Sequence, residues 1–217
     1  RLIRKDPFLD LSYDRMGDAG IIFLCRNKDL SHVQKLDLSW NEITDAGLAV
    51  LVGTGPLPQL RHLVLNANQI GDEGAKSLAR SKNLPNLETV DLVNNQVADF
   101  GALSLVKSQS LLSLWVIDLE MNKVGQKKLT RFPDGAVVSK LRELNLRRNV
   151  VSDESLTDWA QAGAFEKLVQ LNLGWNQITD QGARILANSP TLSRLEILVL
   201  DSNHIGDLGA VDIAGSK

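Results

Sequence analysis

Asparagine returns every 27 residues along this chain, at Asn41, Asn68, Asn95, Asn122, Asn149, Asn176 and Asn203, and Asp14 takes the same place one interval earlier. A strict period of this length constrains folding more than any composition could. One unit is too short to bury its own apolar face, so the eight units must stack into a continuous core.

Three residues before each of these positions stands a leucine: Leu11, Leu38, Leu65, Leu92, Leu119, Leu146, Leu173 and Leu200. Two residues earlier comes another aliphatic residue: Leu9, Leu36, Leu63, Val90, Ile117, Leu144, Leu171 or Leu198. This alternation predicts a short strand with one buried face at the start of each unit. In the second half of most units, stretches such as residues 72–79 place apolar residues at helical spacing behind an Asp suited to a helix N-terminus. Strand-then-helix units, stacked, predict a parallel sheet joined by right-handed crossovers.

The recurrent asparagine has a physical reason where the chain turns away from the sheet. Its amide both donates to and accepts from backbone groups that a buried turn leaves unpaired, so the seven asparagines predict a ladder. Gly20, Gly47, Gly74, Gly101, Gly182 and Gly209 predict close backbone packing rather than phosphate loops.

At 217 residues, 43% of them hydrophobic, the chain is long enough to fold as a single domain over 1–217. Its 24 basic and 26 acidic residues favour neither nucleic acid nor an anionic membrane as a partner. The longest apolar run, residues 19–25, is far too short to span a bilayer. A lone cysteine, Cys25, excludes an intrachain disulfide and fits a reducing, cytoplasmic compartment, with a secreted effector as the alternative. The chain opens on Arg1 without Met and shows no polar capping unit, which suggests a piece of a longer chain or a homodimer through uncapped ends.

Units such as residues 171–187 resemble leucine-rich repeats of the ribonuclease-inhibitor-like subtype, and the likeness covers nearly the whole chain. Residues 71–75 and 206–210 are also similar to bacterial repeat proteins of the GALA kind, whose period is shorter. The resemblance implies an α/β solenoid, a horseshoe with a concave parallel β-sheet and convex helices, used to bind another protein. It implies no catalytic residues, no cofactor and no metal. Two rival expectations follow from architecture alone: a regulatory domain similar to the GTPase-activating proteins for Ran, or a recognition segment of a larger effector, receptor or ligase.

Residues that alternate away from the core map the candidate surface. The column just before the asparagines reads Tyr13, Trp40, Ala67, Asn94, Met121, Arg148, Trp175 and Ser202, and exposed aromatics and arginines there are favoured binding anchors. Trp175 stacked on Arg148 is the competing structural role. Trp115 falls at the edge where strands enter the sheet. A second column carries Asp10, Asp37, Asp91 and Asp118, which suit a basic partner, unless hydration or bonds to Ser12, Ser39 or Lys35 satisfy them. Calcium would need more oxygen ligands than this column brings together. Glu120 beside Arg147, with Arg142 and Arg148 nearby, suggests a basic patch or an internal Glu120–Arg147 pair. His62, placed near Asp37 and Asp91, lacks a nucleophile for a hydrolytic triad.

The fifth unit departs from the pattern, with Gln126 and Lys128 in place of Asp and Gly. Pro133, Asp134 and Gly135 there predict a shortened helix, with Leu129 and Phe132 still at core positions. In the next unit Ser155 replaces Gly and Trp159 takes a helical core position.

Overall fold

The computed structural model describes residues 6–126 and 140–216. Eight three-residue strands form one sheet in the order of the sequence: β1 (Phe8–Asp10), β2 (Lys35–Asp37), β3 (His62–Val64), β4 (Thr89–Asp91), β5 (Val116–Asp118), β6 (Glu143–Asn145), β7 (Gln170–Asn172) and β8 (Ile197–Val199). Every pairing is parallel and in register by one unit, so Leu36 lies against Leu63 and Asp91 against Asp118. The middle residue of each strand from β2 to β7 is buried and its two neighbours are not, as the period-two pattern requires.

Helices α1 (Gly17–Asn27), α2 (Asp45–Gly53), α3 (Asp72–Arg80), α4 (Asp99–Val106), α5 (Asp153–Gln161), α6 (Asp180–Ala187) and α7 (Asp207–Ala214) return the chain along the other face. Helical residues such as Leu48, Leu78, Leu103 and Leu156 meet the strand leucines in a core without solvent. The eight strands in one parallel sheet, alternating with seven described helices, make an α/β leucine-rich-repeat fold. A helix needs about 10 Å of width and a strand about 4.8 Å, so stacking curves the solenoid with its sheet inside. Among the described residues no helix is long and apolar enough to cross a membrane.

The asparagines stitch successive units. Asn68 accepts from the backbone N–H groups of Asn41 (3.1 Å) and Ile43 (2.9 Å) in the preceding unit, and its amide donates to the carbonyls of Leu38 and Leu65. Asn95, Asn149 and Asn176 repeat the arrangement, donating to Leu65, Leu119 and Leu146 one unit back.

Each Asp stands in the first turn of its own helix, as the spacing predicts, and a second ladder of bonds runs from these residues to the next unit. Asp45 accepts from Gly71 N–H (2.6 Å), Asp72 from Ala98 and Gly101 N–H (2.8 and 2.9 Å), and Asp180 from Gly206 and Gly209 N–H (2.6 and 3.0 Å). Each carboxylate therefore caps the helix of the following unit. The glycines make room for it: a Cβ on Gly101 would stand 2.6 Å from Asp72 Oδ1, and one on Gly209 2.6 Å from Asp180 Oδ1.

This pairing accounts for the serine of the sixth unit. Where Gln126 stands in the Asp position, the following unit has Ser155 in place of Gly, since no carboxylate needs the space. Asp99, only 2% exposed, accepts from Gly125 N–H through both oxygens and from the indole N–H of Trp159 at 3.1 Å. Trp159 thus reaches across the fifth unit while stacking on Phe165. The expected shortened helix and the core roles of Leu129 and Phe132 fall outside the described residues, as do Lys128, Pro133, Asp134 and Gly135.

Candidate functional site

The face of the sheet opposite the helices carries four columns of side chains. Strand alternation supplies only part of it. Tyr13, Trp40, Ala67, Asn94, Met121, Arg148, Trp175 and Ser202 lie three residues beyond their strands, and all adopt left-handed backbone angles, with φ between 52° and 63°. Their placement therefore comes from a repeated turn, a correction to the reading of this column as strand. The turn is held because the first seven of these residues still donate their N–H to the next unit, as Trp40 does to Asn66 and Trp175 to Asp201, both at 2.8 Å. A non-glycine residue at positive φ is unusual, and this recurrent network of bonds stabilises it.

Exposed aromatics gather at the two ends of the column. Tyr13 (70% exposed) and Trp40 (50% exposed) stack with ring centroids 5.5 Å apart and planes 10° from parallel. Trp175, also 50% exposed, has the Arg148 guanidinium 5.3 Å and the Arg147 guanidinium 6.0 Å from its ring. Met121 is exposed between the two groups. Trp115 stands just before β5, at the opposite edge of the sheet, so the structure does not bring it to either group.

The expected Glu120–Arg147 pair is replaced by two others. Arg147 forks onto Asp201, Nη1 to Oδ1 at 2.7 Å and Nη2 to Oδ2 at 3.1 Å, while Glu120 lies 3.9 Å from Arg148. Gly174 stands between the first two, and a Cβ there would run into Arg147 Nη1 and come within 2.6 Å of Asp201 Oδ1. The hydrogen bond to Asp201 raises the Arg147 pKa further. Reciprocally, Arg147 holds the Asp201 carboxyl below the usual carboxylate range, with Ser202 and Trp175 acting in the same direction. Arg142, expected in the same basic patch, turns its guanidinium to the carbonyl of Leu141 instead.

The acidic column is largely occupied by local bonds. Asp10 and Asp37 accept from both the N–H and hydroxyl of Ser12 and Ser39, and those bonds lower the Asp10 carboxyl below its ordinary value. Asp91 accepts from the Asn66 amide, and Asp118 from the Asn145 amide and the Glu120 N–H. Burial nevertheless pushes the Asp118 carboxyl up, and the charges of Asp91 and Glu120 add to it. Asp118 and Glu143 line a shallow recess with Gln170 and Asn172.

His62 does not face Asp37 or Asp91, which stand opposite Val64 instead. It lies opposite Lys35 and Thr89, with Nδ1 2.9 Å from Thr89 Oγ1. Among the described residues no three His, Cys, Asp or Glu side chains converge as a metal site would need. Sequence reading missed the column at the strand starts, Phe8, Lys35, His62, Thr89, Val116, Glu143, Gln170 and Ile197. Lys35 sits 5.0 Å from the Phe8 ring there. The signal was available, since these residues flank each buried strand aliphatic.

Models of leucine-rich repeats match this chain: a two-copy model over residues 58–105, and a single-repeat model over 29–52, 139–157, 166–187 and 192–214. No curated protein matches. Among solved structures, the chain is similar to an internalin (inlF) from Listeria monocytogenes, with 24% identity and a TM-score of 0.56 over 88% of this chain and 50% of that one. It is also similar to internalin C2 (inlC2) from the same organism, with 22% identity and a TM-score of 0.57 over 97% of this chain and 75% of that one. This chain thus spans half the length of the first. At these identities the likeness is one of fold.

Proposed function

Because this chain is a leucine-rich repeat protein, we propose that it is a non-catalytic scaffold that binds another protein on the concave face of its sheet. Domains of this family are usually non-catalytic, and proteins are their general partners. One observation carries the reading: two groups of exposed aromatic side chains, Tyr13 with Trp40 and Trp175 with its arginines, held five units apart by the same left-handed turn. Rigid, half-exposed aromatics at roughly 24 Å separation suit a macromolecular surface better than a small molecule.

We read residues 1–217 as one domain, which the unbroken sheet supports, and the units as ribonuclease-inhibitor-like, which their alternation of strand and α-helix supports. Asp10, Asp37, Asp91 and Asp118 line the same face, and Met121, Arg147 and Arg148 lie within it, so they belong to the proposed surface. Trp115 contributes only if the partner reaches the strand-entry edge. A homodimer through the stack ends would cover Leu198 and Leu200, which are half-buried, and would leave this face open.

Affinity capture with the immobilised chain tests the proposal. Proteins held by the native chain should be lost by a Trp40→Ala, Trp175→Ala double variant whose circular dichroism is unchanged. Equal capture by both would move the interface to the helices and sink the concave reading.

A further inference from the structure

Resting on the concave-face reading, we infer that the surface around Arg148 and Trp175 receives a carboxylate of the protein partner, the guanidinium holding the anion and the indole covering an adjacent apolar group.

The two arginines beside Trp175 are in different states. Arg147 spends its fork on Asp201, so its charge is matched inside the protein and it serves to brace the ring. Arg148 has Glu120 as its one carboxylate among the described residues, at 3.9 Å, and its guanidinium makes no hydrogen bond among them. It is about half exposed and its backbone is fixed by the turn, with φ at 52° and its N–H donating to Gly174 at 3.0 Å. Stacking 5.3 Å from the Trp175 ring limits its rotamers further. A planar five-donor group held in this way has little left to lose on binding, and its geometry matches a carboxylate.

The remainder of the face gives the choice of place. Asp37, Asp91, Asp118 and Glu143 repel an anion from the middle of the sheet, and Lys35 beside Phe8 already has the charge of Asp10 at hand, which favours the seat at Arg148 and Trp175 for a carboxylate. Glu120 and Asp201 beside that seat argue against a doubly charged phosphate and for a single carboxylate.

A random-peptide display library selected on the immobilised intact chain provides the probe. Selected peptides should be enriched in Asp or Glu next to an aromatic or aliphatic residue, and should lose binding to Trp175→Ala. Arg148→Gln should weaken them about tenfold or more and flatten their salt dependence, and Arg148→Lys should restore part of the affinity. Peptides lost by Trp175→Ala yet indifferent to Arg148→Gln would overturn the carboxylate seat and leave the concave reading standing. Binding unaffected by either substitution, or no enrichment, would sink both.

Discussion

Arg147 crosses an entire repeat unit to grip Asp201, 54 positions away in the sequence, and it passes over Gly174 to do so. The substitution Gly174→Leu should break this clamp, because even the first added carbon meets both partners. Since the pair is partly exposed, the stability loss in chemical denaturation should be small. The emission of Trp175 should shift, as one of its two flanking guanidinium groups is displaced. Unchanged emission would mean that the clamp does not position the ring.

Two carboxyls on this face should show opposite dependence on pH. Asp201 has a depressed pKa, so its contribution is present above the ordinary carboxylate range and is lost as pH falls through the depressed value. Asp201→Asn should therefore be less stable than the native chain near neutrality and converge with it in acid. Asp118 is raised, so its contribution is present in acid and is lost as pH rises from about 4 through its raised value. Asp118→Asn should gain on the native chain over that rise, and melting curves from acid to neutral pH would reveal either sign.

Asn95→Ala removes the acceptor for Ile70 N–H and the donor for the carbonyls of Leu65 and Leu92, all in the buried turn. We expect a loss of about 2–4 kcal/mol by urea denaturation. Asn203→Ala should cost less, because Asn203 is only half-buried and water can replace it.

Gly101→Ala should destabilise by about 1–3 kcal/mol, its new carbon standing 2.6 Å from Asp72 Oδ1 and 2.8 Å from Asp72 Cα. Ser155→Gly, at the corresponding place behind Gln126, should cost only the helical penalty of glycine, about 0.5–1 kcal/mol. Equal effects at the two sites would refute the coupling between Asp and Gly in successive units.

Much of this architecture is legible in the residues one by one. Leu36, Leu38 and Asn41 announce strand, core and turn because each answers a local demand, apolar burial or backbone pairing, that recurs unchanged in every unit. The site is less legible. Trp40 and Trp175 are visible as exposed aromatics, but the left-handed turn that aims them leaves no signature in residue type, since Ala67, Met121 and Ser202 share it. The Asp residues read naturally as caps of their own helices, and only the stack shows them bonded one unit onward.

The sequence by itself determined the 27-residue unit, the parallel sheet with its buried strand aliphatics, and the asparagine ladder, because periodic chemistry forces periodic structure. Tertiary structure alone decided which arginine is spent on Asp201, which one stacks on Trp175 with Glu120 at 3.9 Å, and how Trp159 reaches Asp99 across 60 positions. The bonds from Arg147 to Asp201 and from Trp159 to Asp99 join units that are not neighbours. They depend on side-chain reach and on gaps such as Gly174, which no repeat pattern encodes.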